Sequence, residues 1–301
     1  MSNENSFNGK TGLFIKKGLL SEELQAIKEL ETMCNRYEGL KMKLYWYELN
    51  GRSEDKANDF LYFENGNLVG YLGLYIFNRL EAEISGMVHP DYRGKGIFSM
   101  LTQVAVDECR ERKITKLLFI CENKSTAGKA FIDKLEPRFS FSDYIMEYFI
   151  ESGVNEDWKC SGIKLRRATI EDADVHSHVN NICFHIPVED AMKCYMDRLH
   201  ESRIDMYIAE IDGELIGKID VAIDEKDTFI YQFGVLPEYR NIGYGREILA
   251  LLLQMMAGEK YEKAILEVAS DNPNAMNLYK SFGFRETTVY DYYEIQIPLK
   301  S

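Results

Sequence analysis

Val235-Leu-Pro-Glu-Tyr-Arg-Asn-Ile-Gly-Tyr-Gly-Arg246 carries the chain out of an apolar segment and into an amphipathic one. The preceding residues, Phe229 to Val235, are aromatic and β-branched, the composition of a strand. Pro237, Gly243 and Gly245 then interrupt any continuous pattern. Beyond Glu247, residues Ile248, Leu249, Leu252, Leu253 and Met256 recur at helical spacing, and Gly258 supplies a stop. A helix N-terminus presents unpaired backbone N–H groups and a partial positive charge, and glycines there let the backbone close on an anion. The stretch therefore predicts a strand, a phosphate cradle and a helix. It has neither the Lys-Ser/Thr ending of a Walker loop nor the full Gly-x-Gly-x-x-Gly of a dinucleotide fold.

The same stretch occurs twice. An offset of 147 residues carries Gly66-Asn-Leu-Val-Gly70 onto Gly213-Glu-Leu-Ile-Gly217, and Val88-His-Pro-Asp-Tyr-Arg-Gly-Lys-Gly96 onto Val235-Leu-Pro-Glu-Tyr-Arg-Asn-Ile-Gly243, with no gap between the blocks. One register kept across a hairpin turn, a strand and a glycine loop marks an internal repeat. Each copy reads as a mixed α/β unit. In the second, Tyr207–Ile211 turns at Asp212-Gly213 into Leu215–Ile223; Phe229–Val235, the cradle and its helix follow, then Ala264–Val268, a helix from Pro273 to Phe282 and a final strand pair near Tyr290 to Ile297. The first copy has a helix from Ser21 to Cys34, a hairpin at Asn65-Gly66, a strand Glu81–Val88, the loop Arg93–Gly96, a strand Lys116–Cys121 and a helix from Thr126 to Leu135. Residues 151–162 lack either periodicity and read as a linker, which divides the chain into domains 1–155 and 156–301.

Composition narrows the function. A formal charge of -13 and a pI of about 5.0 exclude a general nucleic-acid binder, which needs a basic face. The sequence shows neither a secretory leader pattern nor a run of eighteen apolar residues, and its six cysteines form no Cys-x-x-Cys pair, so a cytoplasmic protein with reduced thiols and no membrane partner is expected.

Arg240-x-x-Gly243-x-Gly245 after Val235-x-Pro237 resembles the pyrophosphate-binding motif of the GNAT superfamily of N-acetyltransferases. Asn272-Pro-Asn-Ala-Met-Asn-Leu-Tyr-Lys-Ser-Phe-Gly-Phe284 resembles that family's second block, and Leu266-Glu-Val followed by Tyr279 is similar to the ribosomal-protein N-terminal alanine acetyltransferases. The resemblance covers almost the whole chain as two tandem copies. It implies two mixed, mostly antiparallel sheets flanked by helices, acetyl-CoA as cosubstrate without a metal, and a small-molecule amine or peptide N-terminus as acceptor. It also implies roles. Backbone N–H groups around Phe233 and Val235 would polarise the thioester carbonyl. Arg240, Asn241, Gly243, Tyr244, Gly245 and Arg246 would hold the pyrophosphate, and Asn272 would face the pantetheine arm.

Asn272 before Pro273 is a helix start in its own right. Ala275, Leu278 and Phe282 read as the core stripe of that helix, with Tyr279 one residue off it and free to reach a cleft. A phenol can protonate the leaving thiolate, and Glu267 is the candidate base for the attacking amine. Tyr231 and Gln232 could orient a water. The alternative reading of each is structural: a packing tyrosine and a solvated strand carboxylate. At the whole-protein level the alternative is a non-catalytic acyl-CoA-binding or regulatory module.

The first copy departs where chemistry would sit. Val88, Arg93, Gly94 and Gly96 keep the loop, but Phe98 stands where Gly245 stands, Ser125 where Asn272 stands and Ile132 where Tyr279 stands. A degenerate, structural or substrate-shaping domain follows from that, with Glu81 and Glu83 as its remaining candidate bases. His176, His178, Cys183 and His185 match no metal-ligand spacing, and solvent-facing or locally hydrogen-bonded histidines are expected there.

Overall fold

A computed structural model describes residues 7, 9–52, 55–76, 80–150 and 162–298. In chain order the elements are β1 (Gly12–Lys16), α1 (Ser21–Glu38), α2 (Trp46–Asn50), β2 (Asp59–Glu64), β3 (Asn67–Tyr75), β4 (Glu81–Val88), α3 (Ile97–Glu111), β5 (Lys116–Glu122), α4 (Thr126–Ile132) and β6 (Arg138–Phe149). There follow β7 (Lys164–Arg167), α5 (Ala173–Phe184), α6 (Val188–Arg198), β8 (Ile204–Ile211), β9 (Glu214–Asp224), β10 (Asp227–Val235), α7 (Tyr244–Gly258), β11 (Lys263–Ala269), α8 (Pro273–Phe282) and β12 (Arg285–Gln296). The expected linker lies, apart from Gly162, outside the described residues.

The chain forms two compact units, Met1–Asp143 with Thr288–Ser301, and Tyr144–Thr287. They do not meet the chain at a single point near residue 155. The C-terminal segment belongs with the first unit because Tyr290–Gln296 pairs antiparallel with Glu122–Lys116 along β5. The expected final strand pair is thus one long strand, β12. Its alternating Tyr290 and Tyr292 are buried, so the run needs no turn to hide its apolar side chains.

In the first unit β1, β2, β3 and β4 are antiparallel neighbours, and β4 runs parallel to β5. Alternation places Leu61 and Phe63 against Ile27, Leu30 and Cys34 of α1, while Phe60 meets the core formed with Leu101 and Ala105 of α3. The second unit repeats the plan: β7, β8, β9 and β10 antiparallel, β10 parallel to β11. Helix α7 buries Ile248, Leu249, Leu252 and Leu253 to 1% exposure or less against Ile219, Val221 and Leu266. Each such side chain contributes about 1.5–3 kcal/mol of transfer free energy. The two hairpins match as well, with φ of 50° and 82° at Asn65-Gly66 and 53° and 85° at Asp212-Gly213. Positive φ at both central residues is the turn whose twist suits the flanking strands.

A chain ending at Thr287 leaves one edge of β5 without its partner. Amide hydrogen exchange at Lys116–Glu122 is expected to speed up by roughly tenfold or more, while Lys263–Ala269 in the second unit keeps its protection.

Candidate active site

In the second unit β10 and β11 pair only from Asp227↔Lys263 to Ile230↔Leu266. Past that point β10 gains one residue against β9: Tyr231 faces Asp220, but Gly234 faces Lys218. The inserted position is Gln232, held at φ 46°, a left-handed value few side-chain-bearing residues adopt. The bulge bends β10 where it leaves β11 and a gap opens between them. Leu236 N–H donates to Ile216 O at 2.9 Å. Alternation along the strand therefore turns the Val235 N–H away from β9 and toward the gap. The end of α5 seats against the bend. A Cβ on Gly234 would stand 3.0 Å from Cys183 Cβ and 3.2 Å from Phe184 Cζ, so any larger residue requires α5 to give by a few tenths of an ångström.

The cradle follows from backbone geometry. Asn241 and Gly243 have φ of 62° and 102°, and Gly94 and Gly96 in the first unit have 76° and 79°. Alternating left-handed residues point successive N–H groups to one side and form an anion-binding concavity, here ending at Gly243, the N-cap of α7. Arg240 has a different task from the glycines. Its Nε donates to Val235 O at 2.7 Å and its guanidinium lies 3.5 Å from Cys183 Sγ, tying the loop to the strand it leaves. Arg93 Nε does the same to Val88 O at 3.1 Å. Arg246 lies over the Phe282 ring and Tyr244 beside Tyr239, one turn into the helix.

Asn272 caps α8: its Oδ1 accepts the Ala275 N–H at 3.2 Å. Within α8 the expected core stripe does pack against the core, and Tyr279 lies on the same face rather than off it. Tyr279 is the most buried residue, 7% exposed, while Ala275, Leu278 and Phe282 are half-buried around it. The ring packs near Phe284 and against the α7 core, and burial pushes its phenol up to about 12. Glu267 is the first residue of β11 past the paired segment, and it is exposed. Its neighbours Leu266 and Val268 join Tyr279 in the core cluster, so Glu267 projects from the opposite face of the sheet.

One cluster next to the bulge escaped sequence reasoning. Lys218, Asp220 and His176 are 0%, 1% and 2% exposed. Lys218 Nζ donates to Asp220 Oδ2 at 2.5 Å and to Gln232 Oε1 at 3.1 Å, and lies 2.8 Å from His176 Nε2. His176 Nε2 is in turn 3.2 Å from both Asp220 oxygens. Burial lowers the pKa of both Lys218 and His176, with Asp220 opposing the shift in each. His176 is thus buried rather than solvent-facing: its Nδ1 keeps a local contact of 3.4 Å to the Asn180 side chain, and its Nε2 meets Asp220 because α5 lays it against β9. The only sequence signal was Lys218-x-Asp220 at strand alternation, which reads as a wet face. Among the described residues no group of three or more His, Cys, Asp and Glu side chains is placed to hold a metal ion.

The first unit keeps the gap: β4 and β5 pair only from Glu81↔Lys116 to Ile84↔Phe119. A cavity of about 450 Å³ opens there, lined by Cys34, Met42 and Met87 together with Phe98, Phe119 and Phe131. Phe98 does not simply spoil the loop. Its ring lies over Gly86, the position matching Phe233, whereas Phe233 reaches Gly245, the position matching Phe98. The aromatic ring comes from the helix in one copy and from the strand in the other. Ser125 also preserves the local role of Asn272, since its Oγ accepts the Gly128 N–H at 3.1 Å. Ile132 is buried like Tyr279 but carries no hydroxyl.

Comparison with known proteins bears on the family and the fold. The family model described as Acetyltransferase (GNAT) family matches residues 24–135 and again 174–284. An N-alpha-acetyltransferase of Sulfurisphaera tokodaii is 29% identical over 144 residues, 43% of this chain and 84% of its own. A mycothiol acetyltransferase of Streptomyces griseus is 27% identical over 249 residues, 78% of this chain and 79% of its own. Among solved structures, a GCN5-related N-acetyltransferase from Sphaerobacter thermophilus shares the fold with a TM-score of 0.81 at 15% identity, over 96% of this chain and 97% of that one. No helix among the described residues is long and apolar enough to cross a membrane.

The α8 cap is testable on stability alone. Asn272→Ala should lower the unfolding free energy of the second unit by about 1 kcal/mol in urea titration, and Asn272→Asp should restore most of it.

Proposed function

Because the chain belongs to the acetyltransferase (GNAT) family, matched by it twice, we propose that the second unit moves an acetyl group from acetyl-CoA to a primary amine, by direct attack in a ternary complex. The observation that carries this reading is the gap where β10 leaves β11, with Val235 N–H at one edge and Glu267 and Tyr279 approaching from opposite faces. Cradle N–H groups from Asn241 to Gly245 would hold the pyrophosphate at the start of α7, with Arg240 and Arg246 adding positive charge. Free N–H groups around Phe233 to Val235 would bind the carbonyl oxygen as it gains charge.

The amine attacks only when neutral. Glu267, exposed on the acceptor side, takes the proton that the nitrogen must lose, directly or through a water. As the new C–N bond forms and the C–S bond breaks, Tyr279 gives its proton to the sulfur. Burial keeps the phenol protonated throughout the neutral range, and a thiolate expelled into the same apolar surroundings is held basic by the same effect. The acceptor class is an amine small molecule or a peptide N-terminus, set by α5, α6 and the strands beneath them.

A second reading has one observation in its favour. The first unit has an open cavity of about 450 Å³ and no phenol at Ile132, which suits holding an acyl-CoA without transferring its acyl group.

The test is release of CoA thiol from acetyl-CoA in the presence of a panel of primary amines and short peptides. Tyr279→Phe should lower kcat by about 10²–10⁴-fold with little change in KM for acetyl-CoA. Undiminished turnover in that variant removes Tyr279 from the donor role. Tight acetyl-CoA binding with no transfer across the whole panel would instead favour the binding module.

A further inference from the structure

We propose that Lys218 is a positioning residue, anchored by Asp220 and His176, whose ammonium holds the Gln232 bulge and thereby sets where the Val235 N–H points. The inference rests on placing acyl transfer in the second unit.

The geometry is specific. Lys218 lies on β9 opposite Gly234, on the far side of the bulge, and Asp220 lies opposite Tyr231, on its near side. The ion pair therefore brackets the inserted residue. Lys218 Nζ reaches across to the Gln232 side chain at 3.1 Å, and the amide oxygen that accepts this bond belongs to the residue held at φ 46°. Left-handed backbone at a glutamine persists only where its surroundings determine it. A lysine and an aspartate this deeply buried are a costly way to fill a core, unless their placement specifies something an apolar pair would not.

The other copy serves as an internal control. The 147-residue offset carries Lys218 to Tyr71, Asp220 to Gly73 and Gln232 to Ser85. There β3 and β4 pair without a register shift from Gly70↔Val88 to Tyr75↔Glu83. Tyr71 instead donates its hydroxyl to Asp59 at 2.7 Å, part of a different buried network. The unit that lacks the Lys, Asp and Gln set lacks the bulge, although its strands part at the matching place. Strand separation alone does not require the inserted residue. The bulge is a separate device, present in the copy with the phenol.

A direct role for Gln232 at the reacting atoms must be told apart from this one. Gln232→Leu loses the anchor and cannot relax into φ 46°, so kcat should fall roughly tenfold or more, while KM for acetyl-CoA stays within about twofold because the cradle is untouched. Gln232→Gly adopts that φ unaided and should recover most of the lost kcat. The pair Lys218→Met with Asp220→Leu, which removes both charges together and so spares the fold an unpaired ion, should resemble Gln232→Leu and regain activity when Gly is added at 232. Equal loss in the Leu and Gly variants, or no loss in either, overturns the proposal. Crystal structures of the parent and the double variant separate this from failure of acyl transfer itself. Should the parent move no acetyl group, loss of the register shift between Tyr231 and Gly234 in the variant upholds the role of Lys218, and an unchanged shift overturns it.

Discussion

Two parallel strands that stop pairing leave backbone N–H and C=O groups facing each other with nothing between them, and a buried backbone cannot leave such groups unmet. In this chain that happens twice, after Ile84↔Phe119 and after Ile230↔Leu266. Each gap lies where a helix N-terminus, a left-handed loop and a short capped helix converge. Arg93 and Arg240 hold the last strand carbonyl and so keep the loop from closing over the opening. Both units thus hold the end of one strand apart from its parallel neighbour.

The two copies hold that arrangement with different residues. Phe233 over Gly245 and Phe98 over Gly86 deliver one aromatic ring to one place from opposite directions, which conserves volume while reversing the sequence pattern. Asn272 and Ser125 cap the corresponding helices α8 and α4 with different oxygens. The copies also differ in groups that no packing rule demands: a phenol at Tyr279, a carboxylate at Glu267, an inserted residue at Gln232 and the buried charges beneath it. Divergence of this kind leaves the fold intact and changes what it can do, in keeping with function residing in sites carried on folds.

Much of this was readable from the chain. The hairpins at Asn65-Gly66 and Asp212-Gly213, the cradle and the α8 start at Asn272-Pro273 follow from residues within a few positions of each other, because φ preference and capping are local. The apolar run of α7 was equally plain, since one face of that helix is buried along its length. Ala275, Leu278 and Phe282 of α8 pack on the core as their spacing indicates, and Tyr279, four residues after Ala275, is the centre of that same face. The last strand was read as two because nothing local shows that Tyr290 to Gln296 pairs with a strand some 170 residues earlier.

The sequence by itself determined the repeat, the mixed α/β plan of each copy, the two cradles and the absence of a phenol from the first, since all of these rest on local backbone chemistry or on comparing the chain with itself. Only the tertiary structure decided that Thr288–Ser301 completes the first unit, that His176 meets Asp220 and Lys218 44 and 42 residues away, and that these charges are buried beside a bulge. The physical reason is one of dimension. Alternation along β9 tells which side chains share a face, but whether that face meets water or a helix is fixed by what packs on it, and α5 is brought there by the fold.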